Sequence, residues 1–249
     1  MSRLNGKVAV VTGASKGIGA GIARSFAEAG ASVVVNYASS REGAERVVSQ
    51  IKAAGGKAIA VKGDVSKAAD VKRLFSETKE AFGTIDILVN NAGVFEFAPL
   101  ESVTEKEFHR EFDINVLGTL LATQEALNHF GPNGGSVINI SSVTSANPVP
   151  NSVVYSATKS AVDSITKSLA RELAPRKIRV NAIAPGGVET EGTHTLGMIG
   201  SEFEKQLVAA TPLGRLGQPE DIAKLALHLA SDESAWLTGE RITASGGLH

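Results

Sequence analysis

The 249-residue chain contains no cysteine, has almost no net charge and lacks any long hydrophobic run. The absence of cysteine excludes disulfides and catalysis by a thiol. A formal net charge of -1 gives no general attraction to nucleic acid or to an anionic membrane surface. No apolar run approaches the roughly 20 residues that a membrane span requires. We therefore expect no nucleic-acid partner and no membrane partner.

Two further absences bear on metal chemistry and location. The five histidines, at positions 109, 129, 194, 228 and 249, never fall at metal-ligand spacing, so no metal site is expected. The first residues, MSRLNGKVAVVTG, lead directly into a strand-like run without the charged start, apolar centre and cleavage site of a signal peptide. Both this start and the lack of cysteine favour a cytoplasmic location.

Seven short runs rich in valine and isoleucine predict strands that are buried on both faces, because they show little alternation. The runs are KVAVVTG, ASVVVNY, KAIAVKG, IDILVNN, GSVINIS, IRVNAIA and ERITASG. Between them lie segments of helical periodicity, such as the one in which Ile18, Ile22 and Phe26 recur every four residues before Gly30. Strands that alternate with helices predict a parallel sheet with helices on both faces.

The segment boundaries refine this α/β prediction. Ser66 is expected to cap a helix that ends at Gly83, and residues 104–131 are expected to form one long helix. We find no linker or repeat, so residues 1–249 are expected to form a single Rossmann-type, doubly wound domain. Residues 186–218 are long, rich in glycine and threonine, and only partly helical in pattern, which predicts a lid over the substrate.

A glycine-rich turn, TGASKGIG at residues 12–19, connects the first strand to the first helix. Gly13, Gly17 and Gly19 allow a sharp turn and a close approach of backbone to a pyrophosphate. The helix that follows supplies free N–H groups and a positive dipole end. This context is typical of dinucleotide binding, whereas the alternative is a simple tight turn.

The second strand indicates which nicotinamide cofactor is bound. An NAD site commonly has an acid at the end of this strand, but Asn36 occupies that place and residues 31–41 contain no carboxylate. Lys16 and Arg41 would supply positive charge to a 2′-phosphate, and Asn36 and Ser39 would donate hydrogen bonds. The sequence therefore favours NADP(H). The alternative is that Lys16 and Arg41 are solvated surface charges.

Candidate catalytic side chains lie on the fifth strand and on the helix that follows it. Tyr155 and Lys159 are four residues apart, which places both on one face of a helix. Ser141 and Ser142 follow the fifth strand, and NNAG (residues 90–93) follows the fourth, at the same edge of the sheet. Taken singly, such a serine is usually a turn former and such a tyrosine is usually a packing residue.

Together, TGxxxGxG, NNAG, a serine thirteen positions before YxxxK, and PG after the sixth strand resemble the short-chain dehydrogenase/reductase family. The resemblance covers essentially the whole chain and is greatest to the NADPH-dependent branch that includes 3-oxoacyl-acyl-carrier-protein reductases and glucose dehydrogenases. It implies catalytic roles for Ser142, Tyr155, Lys159 and Asn115. The cofactor contacts that we expect are Gly13, Ser15, Lys16, Gly17, Ile18, Gly19, Asn36, Tyr37, Ala38, Ser39, Arg41, Asp64, Val65, Asn91, Ala92, Gly93, Tyr155, Lys159, Pro185, Gly186, Val188 and Thr190.

The implied roles are chemically consistent with ketone reduction. Tyr155 would give its proton to the developing alkoxide, and the ammonium of Lys159 would lower the tyrosine pKa from its usual value of about 10. Ser142 would hydrogen-bond the substrate carbonyl. Asn115 would hold a water that links Lys159 to solvent, by resemblance. Asn115 has an alternative role as a polar residue that distorts the helix.

The sequence leaves the substrate open. A small ketone or secondary alcohol is favoured, with a sugar or polyol as a variant. A 3-oxoacyl-carrier-protein substrate is the alternative, because a basic surface would suit an acidic carrier protein. The candidate cations are Arg171, Arg176, Lys177, Arg179 and Arg215. A non-catalytic NADP-binding sensor is the remote alternative, and it would be expected to lack a catalytic residue.

Two predictions concern the lid and the assembly. His194, Met198 and Phe203 would either face the substrate or pack beneath the lid. Apolar residues on more than one face of the helices around Leu117 and Tyr155 predict pairing between subunits. We expect a homotetramer, with a dimer as the alternative.

Overall fold

The computed structural model describes residues 3–248, and a seven-stranded sheet lies at its centre. All strand pairs are parallel, in the order β3-β2-β1-β4-β5-β6-β7. The strands are β1 (Val8–Val11), β2 (Ser32–Tyr37), β3 (Lys57–Lys62), β4 (Ile87–Asn90), β5 (Gly135–Ile140), β6 (Ile178–Pro185) and β7 (Arg241–Ala244). This confirms the predicted Rossmann-type parallel sheet. The single-domain organisation stays a prediction.

Helices cover both faces of the sheet, as a doubly wound fold requires. They are α1 (Gly17–Glu28), α2 (Arg41–Ala53), α3 (Ala68–Phe82), α4 (Glu105–Phe112), α5 (Gly118–Ala126), α6 (Val153–Leu173), α7 (Glu191–Thr195), α8 (Glu202–Ala210) and α9 (Pro219–Ala230). Buried residues of α1, α2 and α9, such as Phe26 and Ile222, form the core on one face. Buried residues of α3, α5 and α6, such as Leu74 and Phe75, form the core on the other.

Two helix predictions need correction. Residues 104–131 do not form one regular helix, because a π-helical turn over Asp113–Leu117 separates α4 from α5. The predicted cap Ser66 is also wrong, since Lys67 precedes α3 and the Ser66 hydroxyl donates to the carboxylate of Asp64 instead. The predicted end at Gly83 is confirmed, and its φ of 86° is a conformation that glycine adopts without strain.

The lid segment (residues 186–218) contains the short helices α7 and α8, in agreement with its partly helical pattern. A parallel bridge between Val188 and Gly217 joins its two ends, so the segment leaves and rejoins the fold at the carboxyl edge of the sheet. In the part of the chain that the structure describes, no helix combines the length and the apolar character needed to cross a bilayer.

The turn before β5 provides a test of the packing at the opposite edge of the sheet. Gly134 has a φ of 77°, and a Cβ there would lie 2.0 Å from the carbonyl oxygen of Lys177. We expect Gly134→Ala to destabilise the fold by about 3 kcal/mol or more, because rigid backbone must move. Gly55 is a matched control, since its φ is 83° but nothing lies near its Cβ position. Gly55→Ala should cost about 1 kcal/mol. Equal losses in urea unfolding would contradict this account.

Candidate active site

The glycine turn is shaped to receive an anion. Gly13 and Gly17 have positive φ values of 61° and 56°. A Cβ at Gly19 would lie only 2.4 Å from the side-chain nitrogen of Asn91, so this position excludes any larger residue. The N–H of Gly17 donates to a carboxylate oxygen of Glu191 at 2.8 Å, which shows that an anionic oxygen already fits this turn. These features suit the pyrophosphate of a dinucleotide.

The NNAG motif is joined to the glycine turn by a polar network. The side-chain nitrogen of Asn91 donates to the carbonyl oxygens of Thr12, at 2.8 Å, and of Gly13, at 3.0 Å. The hydroxyl of Thr12 accepts the backbone N–H groups of Asn91 and Ala92. Asn91, Ala92 and Gly93 therefore lie beside the turn, where an adenine ribose was expected.

Asn36 does not have the free amide that the sequence analysis assigned to it. Its side chain is buried, and its nitrogen donates to the carbonyl oxygens of Val61, at 3.3 Å, and Gly63, at 3.0 Å. Its oxygen accepts the N–H of Gly13 at 3.1 Å. Because both amide hydrogens are used internally, the predicted hydrogen bond from Asn36 to a 2′-phosphate is wrong. Asn36 instead joins β2 and β3 to the glycine turn.

The other residues expected around the adenosine half differ in availability. Arg41 is ion-paired with Glu45, at 2.7 Å between Nε and Oε1, and this pair raises the arginine pKa. Lys16 is exposed, and no ion pair among residues 3–248 includes it. Ala38 and Ser39 are exposed after β2, whereas Tyr37 is buried. Lys16 is thus a more available cation for a 2′-phosphate than Arg41.

Asp64 and Val65 follow β3 and face the helices rather than open solvent. One oxygen of Asp64 accepts both the backbone N–H and the hydroxyl of Ser66, at 3.0 and 2.7 Å. Val65 is buried against α5, where a Cβ at Gly118 would lie 2.6 Å from its Cγ2. The expected contact of this pair with the cofactor therefore depends on the second carboxylate oxygen of Asp64 and on the backbone of both residues.

We expect Asn36→Asp to destabilise the protein rather than to convert its cofactor preference. An aspartate cannot donate to the two carbonyl oxygens that Asn36 now satisfies, and a buried charge would face them. The loss should be about 2–4 kcal/mol, measured by urea unfolding. A stable variant that gains a clear preference for NADH would show that Asn36 contacts the cofactor after all.

A cleft of about 290 Å³ opens at the carboxyl edge of the sheet. Ten of the predicted residues line it, namely Ile18, Asn91, Gly93, Ser142, Tyr155, Lys159, Pro185, Gly186, Val188 and Thr190. The remaining predicted residues lie outside its lining, namely Gly13, Ser15, Lys16, Gly17, Gly19, Asn36, Tyr37, Ala38, Ser39, Arg41, Asp64, Val65, Ala92 and Asn115. The cleft thus brings several of the expected cofactor contacts together with three of the expected catalytic residues, Ser142, Tyr155 and Lys159.

Ser142 is held so that its own hydroxyl hydrogen remains available. Its oxygen accepts both the N–H of Thr144, at 3.2 Å, and the hydroxyl of Thr144, at 3.0 Å. A hydroxyl has two acceptor positions and one donor hydrogen. Because both acceptor positions are filled, Ser142 acts in the cleft as a hydrogen-bond donor, which suits a carbonyl oxygen or a phenolate.

Lys159 lies below Tyr155 on the same face of α6. Its ammonium is 5.6 Å from the centroid of the Tyr155 ring and donates to the carbonyl oxygen of Ile140 at 2.8 Å. The side chain is buried, and burial lowers the pKa of Lys159 to about 8, although the carboxylates of Asp163 and Glu111 oppose this shift. At pH 7 most of the population is still charged.

The expectation of a lowered pKa for Tyr155 needs correction. Burial raises the pKa of Tyr155 to about 12, the hydrogen bond from Ser142 opposes the rise, and Glu111 adds to it. The rings of Phe95 and Phe97 lie 5.6 and 6.3 Å from the Tyr155 ring and cover part of it. Tyr155 is therefore a protonated phenol at neutral pH.

Asn115 lies in the π-helical turn, and its side chain is hydrogen-bonded to Val94 and Thr158. Its side-chain nitrogen donates to the carbonyl oxygen of Val94, at 2.8 Å, and to the hydroxyl of Thr158, at 3.0 Å. Its oxygen accepts the N–H of Val94 at 2.8 Å. A Cβ at Gly93 would lie 3.3 Å from this oxygen and 3.6 Å from Nζ of Lys159. The geometry is therefore compatible with both roles predicted for Asn115, namely holding a water that links Lys159 to solvent and distorting the helix. The water relay stays a prediction.

The wall of the cleft is largely apolar. Met198 and Phe203 line it, which was one of the two predicted alternatives, but His194 does not and pairs with Glu189 at 2.9 Å. Leu207 and Leu248 also line the cleft. No sequence pattern predicts this, because their positions depend on the tertiary packing of the lid and of the last described residues. In residues 3–248 no cluster of three potential metal ligands occurs, and His249 lies outside the described residues.

Comparisons with known proteins agree with this geometry. A family model described as enoyl-(acyl carrier protein) reductase matches residues 13–249. An uncharacterised oxidoreductase of Methylorubrum extorquens is 61% identical over 248 residues and covers 100% of both chains. A hydroxynaphthalene reductase-like protein of Metarhizium majus is 43% identical and covers 98% of this chain and 95% of its own.

A solved structure is similar across the whole fold. An angucycline C-6 ketoreductase with bound NADP superposes with a TM-score of 0.93 and 38% identity, covering 99% of this chain and 97% of its own. The chain belongs to the short-chain dehydrogenase/reductase family. It is an oxidoreductase, and the family resemblance found in the sequence is confirmed.

Proposed function

We propose that the protein reduces a ketone to a secondary alcohol with NADPH, in a reversible reaction that uses Tyr155 as acid and base. The observation that carries this proposal is the convergence of Ser142, Tyr155 and Lys159 at one end of the cleft. Bound cofactor would supply the hydride. The chain itself must supply a proton, a donor for the carbonyl oxygen and a surface that orients the ketone.

Tyr155 is suited to donate the proton. Its pKa of about 12 keeps the phenol protonated at neutral pH, which is the form that reduction requires. Once the proton leaves, the phenolate lies near the ammonium of Lys159 and accepts a hydrogen bond from Ser142. These two groups stabilise the charge that the transfer creates. Because Ser142 has one donor hydrogen, it would donate either to the substrate oxygen or to the phenolate at a given moment.

NADP(H) is the cofactor that the chain's residues fit best. The glycine turn accepts an anionic oxygen, no carboxylate lies in residues 31–41, and Lys16 is exposed beside the turn. The similar ketoreductase was solved with NADP bound, which supports the same choice. In this arrangement Lys16, rather than Asn36, is the main source of preference for the 2′-phosphate.

An apolar, preferably aromatic, ketone fits the cleft better than a charged substrate. Its wall includes Phe95, Phe97, Met198, Phe203 and Leu207. The names of the similar hydroxynaphthalene reductase-like protein and angucycline ketoreductase are consistent with ring-bearing ketones. A sugar or polyol would leave its hydroxyl groups without partners on such a wall.

A carrier-protein substrate has less support. Arg179 lies at the start of β6, about 20 Å from Pro185 at the cleft, and donates to buried carbonyl oxygens of Leu229 and Ser231. Arg171 is about 24 Å along α6 from Tyr155. Arg215 lies in the lid segment itself and is paired with Asp221 at 2.7 Å. The cations that would attract an acidic carrier are therefore distant from the cleft or already paired.

We also propose a cytoplasmic homotetramer, with a dimer as the alternative. Half-exposed apolar side chains on α4, the π-helical turn and α5, namely Phe108, Leu117 and Leu120, support helix pairing between subunits. A non-catalytic sensor is disfavoured because the complete set of Ser142, Tyr155 and Lys159 is assembled in the cleft.

Tyr155→Phe tests the proton donor. The substitution removes the hydroxyl but keeps the ring that packs on Phe95, so cofactor binding should persist. We expect kcat for an aryl ketone to fall by about 10²–10⁴-fold, as for loss of a general acid, measured by NADPH oxidation at 340 nm. Retention of more than a tenth of the wild-type kcat would remove Tyr155 from this role.

Lys16→Ala tests the source of cofactor preference. We expect kcat/KM for NADPH to fall by roughly tenfold while that for NADH stays nearly constant, because only NADPH carries the 2′-phosphate. Arg41→Ala is the matched control and should change either value by no more than about twofold, since Arg41 is paired with Glu45. A larger loss of kcat/KM for NADPH in Arg41→Ala than in Lys16→Ala would show that Arg41, and not Lys16, binds the 2′-phosphate.

A further inference from the structure

A buried carboxyl group lies next to the loop that carries Phe95 and Phe97, which form the aromatic wall of the cleft. Glu111, in the last turn of α4, has no exposed surface. One of its oxygens accepts the backbone N–H of Glu96 at 2.7 Å. Its other oxygen has no hydrogen-bond partner among the described residues. The family motifs in the sequence give no function to this residue, and a buried ionisable side chain with an unbonded oxygen is costly to keep.

Glu111 and Asn115 together fix the loop that follows β4. Asn115 binds both the N–H and the carbonyl oxygen of Val94, and Glu111 binds the N–H of Glu96. Two side chains four residues apart thus bind two backbone positions that are two residues apart on the loop, which holds residues 94–96 in register.

This register directs the aromatic wall (Phe95 and Phe97) toward Tyr155. The held backbone positions, Val94 and Glu96, flank Phe95 and precede Phe97, and both aromatic side chains line the cleft. The two rings lie 5.5 Å apart and contact the ring of Tyr155. The position of the wall thus depends on a hydrogen bond made by a residue that lies outside the cleft.

We propose that Glu111 is a positioning residue that fixes the aromatic wall and thereby sets the preference for bulky apolar ketones. The proposal rests on the proposed ketone reduction, and it assigns specificity to a side chain that does not touch the substrate. A second cavity, of about 170 Å³, is lined by Glu111 and by Glu96 and Ala98 of the loop. The space gives the helix and loop room to shift if the anchor is lost.

The charge of Glu111 also acts on the catalytic pair. Burial raises the pKa of Glu111 to about 7, and its carboxylate raises the pKa of both Tyr155 and Lys159. The other charged groups that face it are Glu107 and Arg110 on α4, Lys106 at the second cavity and Glu96 on the loop. Removal of its charge should therefore lower the pKa of Tyr155 and move the alkaline limb of reduction to lower pH.

Three variants separate the anchor from the charge. Glu111→Gln keeps an oxygen that accepts the Glu96 N–H but removes the charge. Glu111→Leu removes both. Glu105→Gln is the matched control, because Glu105 lies on the same helix with its side chain 90% exposed. Each variant is assayed with a bulky ketone, 1-tetralone, and a small one, acetone, using NADPH.

We expect Glu111→Leu to raise KM for 1-tetralone by tenfold or more while KM for acetone changes by less than threefold. Glu111→Gln should keep both KM values within about twofold but shift the alkaline limb of kcat/KM to lower pH by a few tenths of a unit. Glu105→Gln should match the wild type in all respects. Equal changes for both ketones, or no change in the leucine variant, would overturn the proposal.

Hydrogen exchange gives a readout that does not need turnover. In the intact, cofactor-free protein, amides of residues 94–97 should exchange at least tenfold faster in Glu111→Leu than in Glu111→Gln. Should the leucine variant fail to fold, Glu96→Pro removes the same hydrogen bond from the exposed loop. If the amides on either side of residue 96 exchange at the wild-type rate in this variant, the proposal that Glu111 anchors the loop is overturned. A wild type that reduces neither ketone but shows the expected exchange would refute the proposed function and leave the anchor in place.

Discussion

The buried ammonium of Lys159 is the constraint on which the rest of the site depends. A charge that is 5% exposed must have a hydrogen-bond partner, and it obtains one from the carbonyl oxygen at the end of β5. This bond fixes α6 against the sheet edge. Tyr155 then lies one turn away, and Ser142 lies two residues beyond Ile140, so the proposed acid and the proposed oxygen donor meet in one cleft. The geometry of this proposed catalytic group depends on satisfying one buried cation.

Much of this arrangement was predictable because it depends on local sequence. The valine-rich runs gave all seven strands, and parallel strands bring their carboxyl ends to one edge, where Asn91, Ser142 and Pro185 meet. The spacing of Tyr155 and Lys159 needs only a helix. The glycine turn was equally predictable, since the positive φ of Gly13 and the close packing around Gly13 and Gly19 require glycine.

The errors within the candidate site concern side chains whose partners are distant in sequence. Asn36 looked free because nothing nearby in sequence shows that the carbonyl oxygens of Val61 and Gly63 consume its amide. The raised pKa of Tyr155 depends on a loop sixty residues earlier, which places Phe95 and Phe97 around it. No sequence motif singles out Glu111, and only the fold shows that its side chain is buried. Periodicity predicts which elements form, whereas it does not predict which buried polar atoms they bring together.

The central claim, hydride transfer from NADPH to a ketone, is tested most directly by isotope transfer. The wild-type protein would be incubated with 1-tetralone and NADPH that carries deuterium at both C4 positions of the nicotinamide ring, and the product would be analysed by mass spectrometry. We predict an alcohol with one deuterium on the carbon that bore the oxygen. Formation of unlabelled alcohol, or no alcohol from any ketone of a broad panel although the cofactor binds, would contradict the account.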